Sequence, residues 1–200
     1  MVVAVVLFCE ALLAVTYAAR PDVRITNPLI LVYPFVWIDV GVLAVLATEL
    51  PQTTSRRRYL GAAVATGYFV VLAYFGGLLG AGAGMVPLTV NWNLPPGYTP
   101  ALLYDGSLLR VILEPYKVVG YVALAYLVYV TVLDAAGSAV SGVIGLFSCV
   151  SCTWPILGTV AASIFGGSSA IAAAALGQAY GLSTLVFLSA VFLLWWRPTL

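Results

Sequence analysis

The chain contains no histidine among its 200 residues. That absence excludes haem held by imidazole, binuclear haem-copper centres, histidine zinc sites and histidine general-base catalysis. Only two methionines are present, so a methionine-rich copper channel is excluded as well. The three cysteines, Cys9, Cys149 and Cys152, are too few and too apolar in setting to staple a secreted scaffold. Charged residues make up only 8% of the chain and the formal net charge is +1, which gives no field to attract nucleic acid or acidic substrates. No phosphate-binding Gly-Lys motif, Gly-x-Ser-x-Gly elbow or dinucleotide fingerprint is present, so the sequence offers no enzyme signature.

What the chain has in excess is apolar surface. Apolar residues reach 63% and the mean hydropathy is +1.10, more than a soluble domain of this size can hide, so a protein of the cell membrane is expected. Runs this long cannot be barrel strands, and backbone groups in hydrocarbon must be satisfied within the segment, which predicts an all-α polytopic bundle in a single membrane domain. Six spans are predicted, over about 2–19, 28–50, 59–85, 116–133, 139–165 and 170–196, with the last two open to being discontinuous. The first reads as a span rather than a cleaved signal peptide, because no basic residue precedes it and no Ala-x-Ala site follows. Asn27 and Pro28 suit the start of the second, and Pro34 should kink it. Gly76, Gly80 and Gly84 recur every fourth residue in the third, a small-xxx-small row that predicts close helix packing. Residues 87–100 form a loop, and 101–113, too short to cross, is predicted to be an interfacial helix. Trp37, Trp92, Trp154, Trp195 and Trp196 fall mostly near span ends, and the Arg56-Arg57-Arg58 cluster places both termini on the cytoplasmic side.

Two sets of residues could carry chemistry. Glu10 and Asp39 lie near the centres of the first two spans with no cation at their depth. An ionised Asp there costs roughly 2.5–3.5 kcal/mol, so both are expected to be protonated and hydrogen-bonded to hydroxyls on neighbouring helices, as a packing contact or as a proton path. Cys149-Val150-Ser151-Cys152, with Pro155 behind it, puts two thiols on one helical face. The pair could cycle between dithiol and disulfide, hold Cu(I), or simply pack as small apolar side chains. Glu114 and Asp134 sit at span ends, where water satisfies them.

The stretch from Gly145 to Gly158, with Asn27-Pro28, Tyr33-Pro34 and Asp39, resembles a group of uncharacterised archaeal membrane proteins of haloarchaeal type. The resemblance implies a polytopic fold and an association with respiratory, oxidase-type complexes, and it carries no assigned activity and no site residue. Together the observations favour a non-catalytic accessory, assembly or structural subunit of a larger membrane complex, with the lipid bilayer and other membrane subunits as partners. The alternatives are a thiol-disulfide oxidoreductase or Cu(I)-handling protein built on Cys149 and Cys152, and a small proton-coupled transporter using Glu10 and Asp39.

Overall fold

The computed structural model describes residues 2–21, 23, 25, 27–84, 86–135 and 179–195. Among these the chain forms five helices and one four-stranded antiparallel sheet, in the order α1 (Val2–Ala18), α2 (Leu29–Leu46), α3 (Ser55–Phe75), β1 (Leu79–Ala81), β2 (Val86–Asn91), β3 (Ala101–Asp105), β4 (Leu109–Leu113), α4 (Pro115–Ala135) and α5 (Ala179–Trp195). The all-α bundle of six spans is therefore incorrect. Among the described residues three helices are long and apolar enough to cross a membrane, over Leu29–Leu46, Ser55–Phe75 and Pro115–Asp134. The predicted span at 139–165, and the first part of the one at 170–196, lie outside the described residues.

The third predicted span fails at a specific place. Gly77 adopts φ +78°, Leu78 N–H donates to Ala73 O at 2.8 Å and Gly77 N–H to Tyr74 O at 3.3 Å. This is the Schellman arrangement that terminates a helix. The chain beyond it cannot continue the helix and pairs as β1 with β4, Leu79 opposite Val111. The row of glycines is consequently not a helical face. Gly76 is the C-cap of α3, Gly80 lies in β1, and Gly84 has φ +71°.

The predicted interfacial helix at 101–113 is instead a hairpin, β3 to β4, with Leu103 opposite Ile112 and Asp105 opposite Arg110. Asp105-Gly106-Ser107 supplies its turn, an Asp-Gly signal flanked by runs of β-forming residues. The Asp105 carboxylate also accepts the Ala83 N–H at 2.8 Å, and Gly82 passes so close to Gly106 O that a Cβ there would collide with it. The turn thus fixes the β1–β2 connection as well as its own hairpin.

α2, α3 and α5 pack on α4, with the sheet at one end. Gly97, in the loop after β2, sits against Pro34 near the start of α2, and Tyr17 Oη near the end of α1 donates to Asn93 O at 3.3 Å. Asn27 Oδ1 accepts the Leu29 N–H at 3.0 Å at the entry to α2. At the opposite end Tyr126 Oη donates to Thr48 O, and Gly61 of α3 receives Tyr129 and Leu133 of α4. α4 lies at the centre, with Leu127 and Val130 fully buried. Its neighbours present small residues where they approach it.

The two halves of the glycine row should respond differently to substitution. A Cβ on Gly76 would collide with the Tyr121 ring, which itself meets Trp37 edge-on at 5.8 Å. Gly76→Ala is expected to lower stability by about 1–3 kcal/mol, whereas Gly80, with open space around its Cβ position, should accept Ala. Thermal unfolding of both variants in detergent checks this, and equal losses would contradict it.

Candidate functional site

α2 buries one stripe, Leu31, Pro34, Trp37, Gly41 and Ala44, at spacings of three and four. Trp37 is its centre. The indole is 4% exposed, stacked on Phe187 of α5 with centroids 4.2 Å apart and planes 8° from parallel, and it meets Tyr116 and Tyr121 of α4 edge-on at 5.6 and 5.8 Å. Offset-stacked and edge-to-face pairs are worth about 0.5–1.5 kcal/mol each beyond burial. Its Nε1–H donates to Thr184 Oγ1 at 3.1 Å in a buried bond, so the one polar group of the ring is satisfied. Tyr116 in turn packs on Tyr98 of the loop before β3, centroids 4.7 Å apart.

Next to this cluster on α2, two residues beyond Trp37, stands Asp39. The structure brings it near Glu10 of α1, close enough for the two carboxyls to act on each other. Hydroxyls on neighbouring helices are the partners the sequence predicts, and the neighbour that Glu10 meets is a carboxyl instead. α1 is turned so that only Glu10, Ala14 and Tyr17 are half-buried along its described length from Ala4 to Arg20. These positions, i, i+4 and i+7, form one narrow stripe, and both of its polar members are engaged, Glu10 with Asp39 and Tyr17 with Asn93 O.

The other candidates divide sharply. Cys149 and Cys152 lie outside the described residues. Cys9 is exposed on α1 beside Glu10, on the outward side. Glu114 pairs with Lys117 at 2.7 Å, one turn apart at the start of α4. Among the described residues no group of three or more His, Cys, Asp or Glu side chains could hold a metal ion. The sequence alone does not single out the Trp37 cluster, because Trp in an apolar chain points first to span ends. The signal was there in Trp37, Gly41 and Ala44, a large residue followed at helical spacing by two small ones.

These features define a helical bundle with three helices of membrane-crossing length and composition, a small antiparallel sheet capping one end, and a carboxyl pair between its first two helices. The chain belongs to a family of unknown function (DUF7546), whose model matches residues 1–200. No curated protein and no solved structure matches it.

The carboxyl pair makes a clear prediction. Asp39→Asn keeps size and hydrogen bonding and should be nearly neutral, while Asp39→Leu leaves Glu10 without its partner and should cost about 1–3 kcal/mol. Adding Glu10→Leu to Asp39→Leu should recover much of that loss. A double-mutant cycle in detergent measures it, and additive losses would show that the two side chains do not interact.

Proposed function

We propose that the protein is a non-catalytic accessory, assembly or structural subunit of a larger membrane complex, respiratory in type, as the haloarchaeal likeness implies. It sits in the cell membrane as a multi-pass protein with both termini cytoplasmic, the Arg56-Arg57-Arg58 end of α3 on the cytoplasmic side and the sheet on the other. The observation that carries this reading is the outward face of α3. Tyr59, Ala63, Gly67 and Val71 follow at four-residue spacing and all are exposed, and nothing lies within 4 Å of a Cβ placed on Gly67. A notch of small residues between larger ones is the surface on which a second helix packs closely in lipid, where apolar area alone gives no attraction between helices.

The Glu10–Asp39 pair favours a second reading, a small proton-coupled transporter in which these two carboxyls carry the proton that is moved. It differs from the first in what Asp39→Asn does. A subunit keeps its complex and the activity of that complex, whereas a proton path keeps the fold and loses the coupled activity. The thiol-disulfide or Cu(I) alternative rests on the spacing of Cys149 and Cys152 alone, and alkylation with and without reductant tests it.

The subunit reading is tested by identifying the proteins that remain bound after extraction in mild detergent. Gly67→Leu fills the open notch without touching the bundle interior, so it should leave the thermal stability of the isolated protein unchanged while reducing recovery of its partners severalfold. Full recovery with Gly67→Leu would mean that this face meets lipid.

A further inference from the structure

The four-stranded sheet has two chemically different faces. Residues opposite each other in an antiparallel ladder share a face, and alternate residues along a strand point to opposite faces. Val90, Leu102 and Leu113 are mutual partners across β2, β3 and β4, and Tyr104 with Val111 extends the same face, which is entirely apolar or aromatic. Thr89, Asn91, Asp105 and Arg110 lie on the other face together with Ala101, Leu103 and Ile112. The first face is covered by the bundle only in part, with Val90 47% and Tyr104 41% exposed. Trp92, immediately after β2, is 68% exposed, and Leu113 is 37% exposed.

Where this face meets α4 it becomes concave. Val90, Trp92, Leu102, Leu113, Val118 and Val119 line a groove of about 490 Å³, together with two prolines and no charged side chain. The groove is also continuous with the outside of the bundle. Pro115, Val118, Val119 and Val122 make one stripe along α4, three of them lining the groove and Val122 52% exposed beyond it. An apolar path therefore runs without a break from the sheet onto the outward side of a membrane-length helix.

Depth makes the same point. The Pro115–Asp134 segment has 20 residues, about 30 Å of helix, which matches the hydrocarbon thickness of a bilayer. Pro115 then lies at the membrane surface, and the sheet joined to it through Glu114 lies in the interfacial layer. The Glu114–Lys117 ion pair sits at this level too. Trp92 at the rim of the groove occupies the depth at which Trp is enriched.

We propose that the apolar face of this sheet is bedded in the margin of the bilayer and that its groove holds the acyl chain of a membrane lipid. The inference rests on the membrane reading above for α4 as a span, and it adds an interaction that spanning helices alone do not require. Lipid is preferred to a protein partner as occupant because the groove opens onto the lipid-facing stripe of α4 rather than standing apart from it.

The test uses the full-length protein in phosphatidylcholine vesicles whose chains are brominated near the carbonyl end. The Trp92 contribution is isolated as the difference in fluorescence between the natural protein and Trp92→Phe, a conservative change at an exposed position. The proposal expects brominated lipid to remove most of this contribution and aqueous iodide to leave it. Quenching by iodide and not by bromine would place the face in water and overturn it, and quenching by neither would place it against protein, a second copy or a partner, and overturn it equally. Val122→Trp separates these failures from failure of the membrane reading. If its added fluorescence is quenched by brominated lipid while Trp92 is not, α4 is in the bilayer and only the sheet proposal falls; if neither is quenched, the membrane reading falls too.

Discussion

The architecture depends on how closely α2 approaches α4 at Trp37. A Cβ on Gly120 would stand 2.5 Å from Trp37 Cε3 and 3.3 Å from Phe187, so the indole lies against bare backbone and the two helices are as near as such a ring permits. Gly41, one turn further on, meets the Ala123 Cβ at 3.2 Å in the same way. A large ring opposed to glycine on one side and small residues on the other defines a single register between the helices, because a slide of one residue puts the ring against a side chain. The same ring recruits α5 through Phe187 and Thr184. Three helices are thereby fixed by one side chain and the gaps left for it.

The sheet inherits its position from that contact. Tyr116, edge-on to Trp37, starts α4 and also packs on Tyr98, whose loop brings Gly97 onto Pro34 of α2. β4 runs directly into α4, and Leu78, 2% exposed and the acceptor of the Ile112 N–H at 2.8 Å, anchors the strands to the end of α3. The apolar face of the sheet is consequently aimed at a level and side set by the helices. Strands at the mouth of a helical bundle need this attachment, since a sheet of three- to six-residue strands with so little of its surface covered is marginal by itself.

The helices were legible in the sequence where an apolar run ended at a recognisable stop. Asn27-Pro28 marked the entry to α2, and the Arg56-Arg57-Arg58 cluster marked α3, although the helix takes the arginines into its first turn. Hydropathy failed between 76 and 113 for a physical reason. A window average cannot distinguish Leu and Val in a helix from Leu and Val in strands, and in this segment the information lay in Gly76-Gly77, Asp105-Gly106 and the β-forming runs on either side of that turn. Spacing of four in Gly76, Gly80 and Gly84 imitated a packing motif. Gly76 answers a close approach to Tyr121 and Gly84 a left-handed backbone, while Gly80 meets neither demand. Of the candidate site, Glu10 and Asp39 were visible as costly residues in apolar surroundings, but their mutual contact was not, because it depends on the rotation of α1 about its axis and no periodicity reports that.

That rotation is also where the polar chemistry of this chain has its clearest consequence. From Ala4 onward α1 is exposed nearly all round, with no fully buried side chain among its described positions. With only Glu10, Ala14 and Tyr17 half-buried from Ala4 to Arg20, burial does little to select one azimuth of this helix over another. Glu10 and Tyr17, seven residues and two turns apart on the same side, supply the difference, the first through Asp39 and the second through the Asn93 carbonyl. Glu10 and Asp39 are thus part of the α1–α2 contact, and two charged carboxylates at that place would repel each other across it. A structural role and a proton-handling role would therefore draw on the same two side chains.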